Sequence, residues 1–492
     1  MVSNVLRGLI ASTSLLHSTL AACQGRSPDV VSASTLLPNS TSTQGDVLYY
    51  DVAVIGGGSG GVYTAMGLID QGKSVAVIEK QERLGGHAHT YTDPQTGLPI
   101  NYGVQVLHNN DLVKAYFARF GLNTTISPVG MTNGVTQVAA DFNTGKLLTN
   151  LSIPTDTAAI GSALATYATI AASYSSYLSD GFNLPDDVPE DLLMPFGDFV
   201  VKYNISAGLP TIFSINQGIG NILDLPTIYT FQYLPLETLI YLQNGFIVPA
   251  DGKMTTLYDA AAAELGENVF LSSTVESVNR TASSNVTINV ATPGGPKTII
   301  ASRLVIAIQP TIDNLSPFLD LTAEERDVFS RFTHAGYWPM IVNNTGIPDN
   351  FQVNFYDPNT PFNLPRMPGG YVISPTVVPG LKTFYYATGQ TSGANPSKLE
   401  VRTEMLAGIS RLASSGLVSN TSSVPNVVAY ADHGAFCLQV SAEEIKAGFY
   451  KKMNALQGSG NTFWTGATWI AHDSAQIWRF SEGLLPNITA GI

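Results

Sequence analysis

The sequence predicts an α/β protein in which a parallel-sheet domain, assembled from separated segments, is interleaved with an α+β domain. A β-branched run, Val52 to Ile55, turns through a glycine cluster into a helical stretch from Val62 to Ile69. A second apolar run, Val75 to Ile78, follows and ends at Glu79. Beyond these, helical patterns and short β-branched runs alternate in long blocks. Short, wholly apolar runs are the mark of strands buried on both faces of a parallel sheet.

The glycine cluster Gly56, Gly57, Gly58, Ser59, Gly60, Gly61 contains the spacing G-x-G-x-x-G at Gly56, Gly58 and Gly61. The first glycine permits a tight turn, the second lets backbone approach a pyrophosphate, and the third lets helix and strand pack closely. Phosphates then sit against unpaired N–H groups at the positive end of the helix dipole. Glu79 stands where a Rossmann-type unit places its acid, roughly 20 residues on. A carboxylate there accepts hydrogen bonds from ribose hydroxyls and repels a 2′-phosphate, which argues against NADP.

The next residues separate one dinucleotide from another. Glu79-Lys80-Gln81-Glu82-Arg83-Leu84-Gly85-Gly86-His87 resembles the second glycine motif, E-x-x-x-R-x-G-G-R/H, of the FAD-dependent amine oxidase and phytoene desaturase superfamily. Further matches follow in chain order. Ile100 to Gln105 resembles the segment beside the flavin, with Asn101 replacing the usual acid, and Phe246 to Met254 resembles the F-x-x-P-x-G-G-M turn. Leu271 to Val278 resembles the strand whose valine, here Val275, contacts adenine. Leu304 to Pro310 and Thr462 to Ala467, with Gly466, resemble the two segments that close the flavin site. The versions around His87-Ala-His-Thr-Tyr91 and Tyr102 to His108 are most similar to fungal flavoproteins of the beta-cyclopiazonate dehydrogenase type, which belong to the secretory pathway and to secondary metabolism.

The resemblance implies FAD as cofactor, held by the glycine loop with Glu79, Lys80, Arg83, Gly85, Gly86, His87, Val275 and Gly466. It also implies an amine-oxidase-like pair of domains. The FAD-binding domain is expected over residues 47–110, 245–312 and 425–492, and the substrate domain over 111–244 and 313–424. The first substrate segment reads as mostly helical from 156 to 244, and residues 330 to 390 read as antiparallel sheet. Ser397-x-x-Glu400 and Ser441-x-x-Glu444 fit capping boxes that start two late helices.

Composition narrows the partners. The chain has 492 residues, with a net charge of −13 and only 12% charged residues. That balance makes nucleic acid or an anionic membrane a poor partner. Residues 1–23, with Arg7, an apolar stretch and Leu20-Ala-Ala22, read as a signal peptide. An uncleaved anchor and a lipoprotein signal at Cys23 are the alternatives. Residues 24–46 read as a disordered Ser/Thr/Pro-rich tether. Ten N-x-Ser/Thr sequons point toward secretion, and two cysteines exclude a disulfide framework. No membrane association is expected beyond the signal segment. The histidines are too dispersed for zinc, so no metal is expected.

The expected reaction is hydride removal from an electron-rich C–H bond of a small-molecule substrate, with electrons passed on to O2 or another acceptor. His108, which follows the flavin-side segment, is the first candidate proton carrier, with His334, Tyr337 and Tyr356 behind it. Tyr337 is also a candidate pocket wall, and Gln105 a hydrogen-bonding contact to substrate or flavin. His87 can donate to the diphosphate or attach the flavin covalently, and His89 is the second candidate for attachment. The lysine that holds a water at flavin N5 in many amine oxidases has no counterpart in His334 to Val342, where Pro339 or Met340 stands instead. Simple primary amines or polyamines are therefore the second substrate class. A non-catalytic binding protein on the same fold is the third reading.

Overall fold

The computed structural model describes residues 46–127, 134–280, 285–418 and 424–492. The expected signal segment, the tether up to residue 45, and the sequons at Asn39 and Asn420 lie outside the described residues.

The strand Asp46–Ile55 sits between Val75–Ile78 and Gly295–Ile306 and runs parallel to both. Val269–Phe270 extends the sheet beyond Val75–Ile78, and Thr462–Trp464 pairs with the end of Gly295–Ile306. The antiparallel strands Thr274–Asn279 and Val286–Thr292 complete the far edge. Successive side chains of a strand face opposite ways. Val52, Val54, Val75 and Val77 accordingly pack among the helices Ser59–Asp70, Asp111–Arg119, Thr256–Leu265 and Ser474–Thr489. Ala53, Ile55, Ala76 and Ile78 face the larger core that reaches into the helical block. Both faces are covered, which is why these runs carry no polar residue.

A second sheet of six strands has the order Asn426–Tyr430, Tyr337–Asn343, Leu381–Ala387, Gly369–Pro375, Phe351–Phe355, Thr136–Ala140. Only the pairing of Phe351–Phe355 with Thr136–Ala140 is parallel. Trp338, Met340, Val342, Phe384 and Tyr386 point to one face, where the helix Lys398–Ala413 covers them with Met405, Ile409 and Leu412. The capping box expected at Ser397 and Glu400 is complete. At Ser441 the hydroxyl accepts from the Glu444 N–H, and the helix there breaks at Gly448 before resuming at Phe449–Asn454. Tyr337, Tyr371 and Tyr385 occupy the other face of the sheet and join the large core.

Two expected domain boundaries move. The helix Asp111–Arg119 packs Val113, Tyr116 and Phe117 against the first sheet's helices, so this stretch belongs with the FAD-binding unit. Asn426–Tyr430 pairs with Tyr337–Asn343, and Phe436–Gln439 pairs with Thr333–Ala335. The chain therefore returns to the first sheet only at Thr462–Trp464, later than residue 425. Among the described residues no helix is long and apolar enough to cross a membrane.

Candidate active site

The glycine loop joins Asp46–Ile55 to the helix Ser59–Asp70, and no side chain caps that helix. Its first N–H groups are thus left for a ligand. A Cβ at Gly61 would stand 2.0 Å from the Gly56 carbonyl oxygen, so close helix–strand packing demands glycine there. Gly58 is different: a Cβ would meet nothing nearer than the Gly86 Cα at 3.9 Å. Its need for glycine comes from whatever fills the cleft. Glu79 accepts hydrogen bonds from the N–H of Gly57 (2.7 Å) and of Gln81 (2.8 Å). Each carboxylate oxygen keeps a second lone pair for a ribose hydroxyl. Uncapped helix, open cradle and carboxylate together fit a dinucleotide diphosphate and its ribose.

A continuous cavity of about 1390 Å³ runs from this cradle to the six-stranded sheet and the helical block. It exceeds the roughly 1000 Å³ upper size of a drug-sized pocket. Gly56, Gly58, Ser59, Gly60, Glu79 and Lys80 line one end. Gly85, Gly86, His87, Gln105, Val275, Tyr337 and Gly466 line the rest of the expected site. Tyr337 donates to Gln217 Oε1 at 3.0 Å, and the Gln105 amide donates to the Tyr385 hydroxyl.

Four expected site residues lie behind the wall. Gly57 and Gly61 shape the loop from inside. Arg83 is occupied with the backbone: it donates to the carbonyls of Leu84 (2.9 Å) and Gly86 (3.0 Å) and contacts His89 Nδ1 at 2.6 Å. It props the second glycine turn rather than facing the cleft. His108 is 1% exposed, with Nε2 3.1 Å from Asp473 Oδ2 and Nδ1 3.8 Å from Glu237 Oε1. It reaches the cavity wall through Asp473 and Phe246, which line it. Burial works against its protonation, but the Asp473 charge and hydrogen bond, with Glu237, raise its pKa overall. Enclosed by Asp473 and Glu237, the ring does not itself line the cavity. Of the secondary candidates, Tyr356 lines the cavity, whereas His334 is held at Thr391 through backbone hydrogen bonds.

The sequence reading did not foresee a histidine cluster. His433 and His472 join His87 and His89 on the cavity wall. The His433 ring stacks on His87 with centres 3.8 Å apart, and His472 packs on Phe436 at 3.9 Å. Both ring nitrogens of His433 are buried without a hydrogen-bond partner. Burial, then the charges of Arg83 and Lys80, lowers His87 to about 4; burial chiefly lowers His89 and His472 to about 3. His433 is driven well below its ordinary value by burial and by the other three rings. The cluster is neutral at pH 7. Among the described residues no group of three or more His, Cys, Asp or Glu is placed to hold a metal ion.

The missing lysine also has a structural counterpart. Met340, at the place considered for it, is fully buried beneath the helix Lys398–Ala413. Lys382, opposite Val342 in the next strand, donates to the carbonyls of Pro348, Asp349 and Phe351. It does not line the cavity.

Residues 54–120 match the NAD(P)-binding Rossmann-like domain family. The chain is 37% identical over 453 residues to the FAD-dependent oxidoreductase oblC of Cochliobolus heterostrophus, covering 91% of this chain and 92% of that one. It is 32% identical to the beta-cyclopiazonate dehydrogenase of Aspergillus flavus, covering 93% and 97%. Among solved structures, the CLA-producing fatty acid isomerase from P. acnes aligns with a TM-score of 0.70 at 18% identity, covering 90% of this chain and 99% of that one. Putrescine oxidase bound to putrescine aligns with a TM-score of 0.61 at 16% identity, covering 90% and 100%. These last two share the fold. With relatives this similar over nearly their full lengths, and a cradle that fits the diphosphate and ribose, the chain belongs to the FAD-dependent oxidoreductase family that includes beta-cyclopiazonate dehydrogenase.

Proposed function

We propose that the protein removes a hydride from a hydrophobic, nitrogen-containing small molecule of secondary metabolism, as a dehydrogenase, oxidase or oxidative cyclase, and passes the electrons to O2 or another acceptor. The observation that carries this is the cavity joining the dinucleotide cradle to a wall of tyrosines and carboxamides. When bound, FAD supplies the two-electron acceptor for the hydride. The chain's own groups hold the diphosphate at the helix Ser59–Asp70, orient the substrate with Gln105 and Tyr337, and exclude water. Simple primary amines remain the weaker substrate class, because no lysine stands on the strand Tyr337–Asn343.

The secretory-pathway reading rests on the N-terminal segment and the sequons. Asn123, Asn150, Asn204, Asn279, Asn285, Asn314 and Asn487 are exposed, whereas Asn343 lies within a central strand. Purification from a glycosylating host, followed by a visible spectrum before and after acid precipitation, tests the scheme. A flavin spectrum bleached anaerobically by substrate supports it. Colour in the supernatant means noncovalent FAD, and colour in the pellet means attachment through an imidazole such as His87 or His89. Protein without flavin would favour a binding role on the same fold.

A further inference from the structure

The charge on the cavity wall is distributed unevenly. Among the described residues, every lining residue from Pro99 to Ala431 is uncharged, with no Asp, Glu, Lys, Arg or His. The acids and bases that do line the cavity are Glu79, Lys80, Asp432, Asp473 and the four histidines. Glu79 is bound to the glycine loop. Asp432 accepts from the Trp338 indole (2.8 Å) and the Gly434 N–H (2.9 Å), and Asp473 holds His108 and the Gln476 N–H. The histidines are neutral.

What the chamber offers instead is a set of paired neutral dipoles. Tyr337 and Tyr385 stack with ring centres 6.0 Å apart and planes 12° from parallel. Each hydroxyl is joined to a glutamine from a different segment, Gln217 and Gln105 respectively. Along the opposite strands Gln352 donates to Asn354 (3.0 Å), which donates to Gln137 (2.6 Å). Burial drives the Tyr337, Tyr371 and Tyr385 hydroxyls up, so none supplies a negative charge. An ammonium or carboxylate placed against these tyrosines and carboxamides would lose its water and meet no counter-charge among them, an outcome that disfavours binding. A neutral molecule loses little, and its carbonyl or hydroxyl groups meet carboxamides and phenols.

We propose that the chamber selects an uncharged substrate, one with amide, carbonyl or hydroxyl groups rather than a free amine or acid, and that Gln217–Tyr337 and Gln105–Tyr385 are its specificity-determining pairs. This rests on the oxidoreductase reading of the same site. It turns the nitrogen of the substrate into a non-basic one.

The test uses three probes that differ only in their head group, decanol, decylamine and decanoate, each below its micelle-forming concentration. Binding to the purified holoprotein at pH 7 is followed by the shift in Tm and by perturbation of the flavin spectrum. Decanol should bind about tenfold or more tightly than either ion. Equal binding of the three, tighter binding of either ion, or no binding by any of them would overturn the proposal. Gln217→Glu keeps an acceptor for Tyr337 and adds a carboxylate, and decylamine should gain about tenfold on it. No gain in a folded, flavin-loaded variant would remove Gln217 from the chamber. Flavin content reports separately on the oxidoreductase reading, because ligand-induced shifts in Tm do not need the cofactor.

Discussion

The imidazole of His433 lies face to face on that of His87, 3.8 Å apart and 12° from parallel, although 346 positions separate them in the chain (433 − 87). The stack works only if neither ring carries a charge, and burial ensures that. His89 and His472 share the same neutral environment.

Stability should therefore depend on pH from two sides. In the unfolded chain these four histidines take up protons near 6.5, while in the folded protein they resist until far lower pH. Their contribution is lost as pH falls below 6.5. His108 runs the other way: raised by Asp473 and Glu237 against its burial and the Arg479 charge, it contributes stability below 6.5 and loses it as pH rises through its folded value. Tm measured from about pH 8.5 to about pH 5 should peak near 6.5. A Tm that climbs steadily toward pH 5 would mean that the cluster is charged in the folded protein.

His433→Phe keeps the stacked ring and removes two unpartnered nitrogens. Burying an unsatisfied polar group costs about 1 to 3 kcal/mol, so the variant should be at least as stable in urea titration as the parent. Its flavin should be reduced by substrate at close to the parent rate, because an imidazole held this far below its ordinary pKa is a poor proton acceptor, and reduction slowed about tenfold or more would make His433 that acceptor after all. A less stable variant with unchanged reduction would show that the nitrogens serve the fold.

The dinucleotide cradle was legible in the sequence because its chemistry is local: Gly56, Gly58, Gly61 and Glu79 lie within one βαβ unit whose spacing is set by one turn and one helix. The histidine cluster was not, because His433 and His472 reach His87 only through tertiary packing. Distance misled in the same way at His108, whose place after the flavin-side segment did not reveal that Asp473 and Glu237 enclose it. Strand Asn426–Tyr430 reads as a strand in either sheet, and nothing in its own residues names Tyr337–Asn343 as its partner. The stretch His334 to Val342 carries no lysine, and only the register shows that the nearby Lys382 is spent on three carbonyls outside the cavity.

For His108 the consequence is a positioning role with a measurable signature. His108→Ala leaves Asp473 and Glu237 without their shared partner, a loss of about 1 to 3 kcal/mol. Flavin should be retained and the fall in Tm above pH 6.5 should disappear, because the group that titrates there is gone. Reduction by substrate should slow by less than about tenfold. A larger loss of reduction rate at unchanged stability would return His108 to the reacting atoms.

Gly58→Ala separates the ligand's demands from those of the fold. The backbone at Gly58, φ −74° and ψ −176°, is ordinary extended conformation that alanine adopts without strain. Nothing in the protein lies closer than 3.9 Å to the added methyl group, in contrast to Gly61, where a Cβ would stand 2.0 Å from a carbonyl oxygen. The variant should fold with an unchanged circular dichroism spectrum, while its methyl group occupies the space between Gly58 and Gly86 through which the diphosphate would pass. It should purify colourless, and added FAD should raise its Tm far less than that of the unloaded parent. Gly61→Ala should instead lose both colour and fold. If Gly58→Ala purified with a full complement of flavin, the diphosphate would have to lie elsewhere, and the cradle between the two glycine turns would be misassigned.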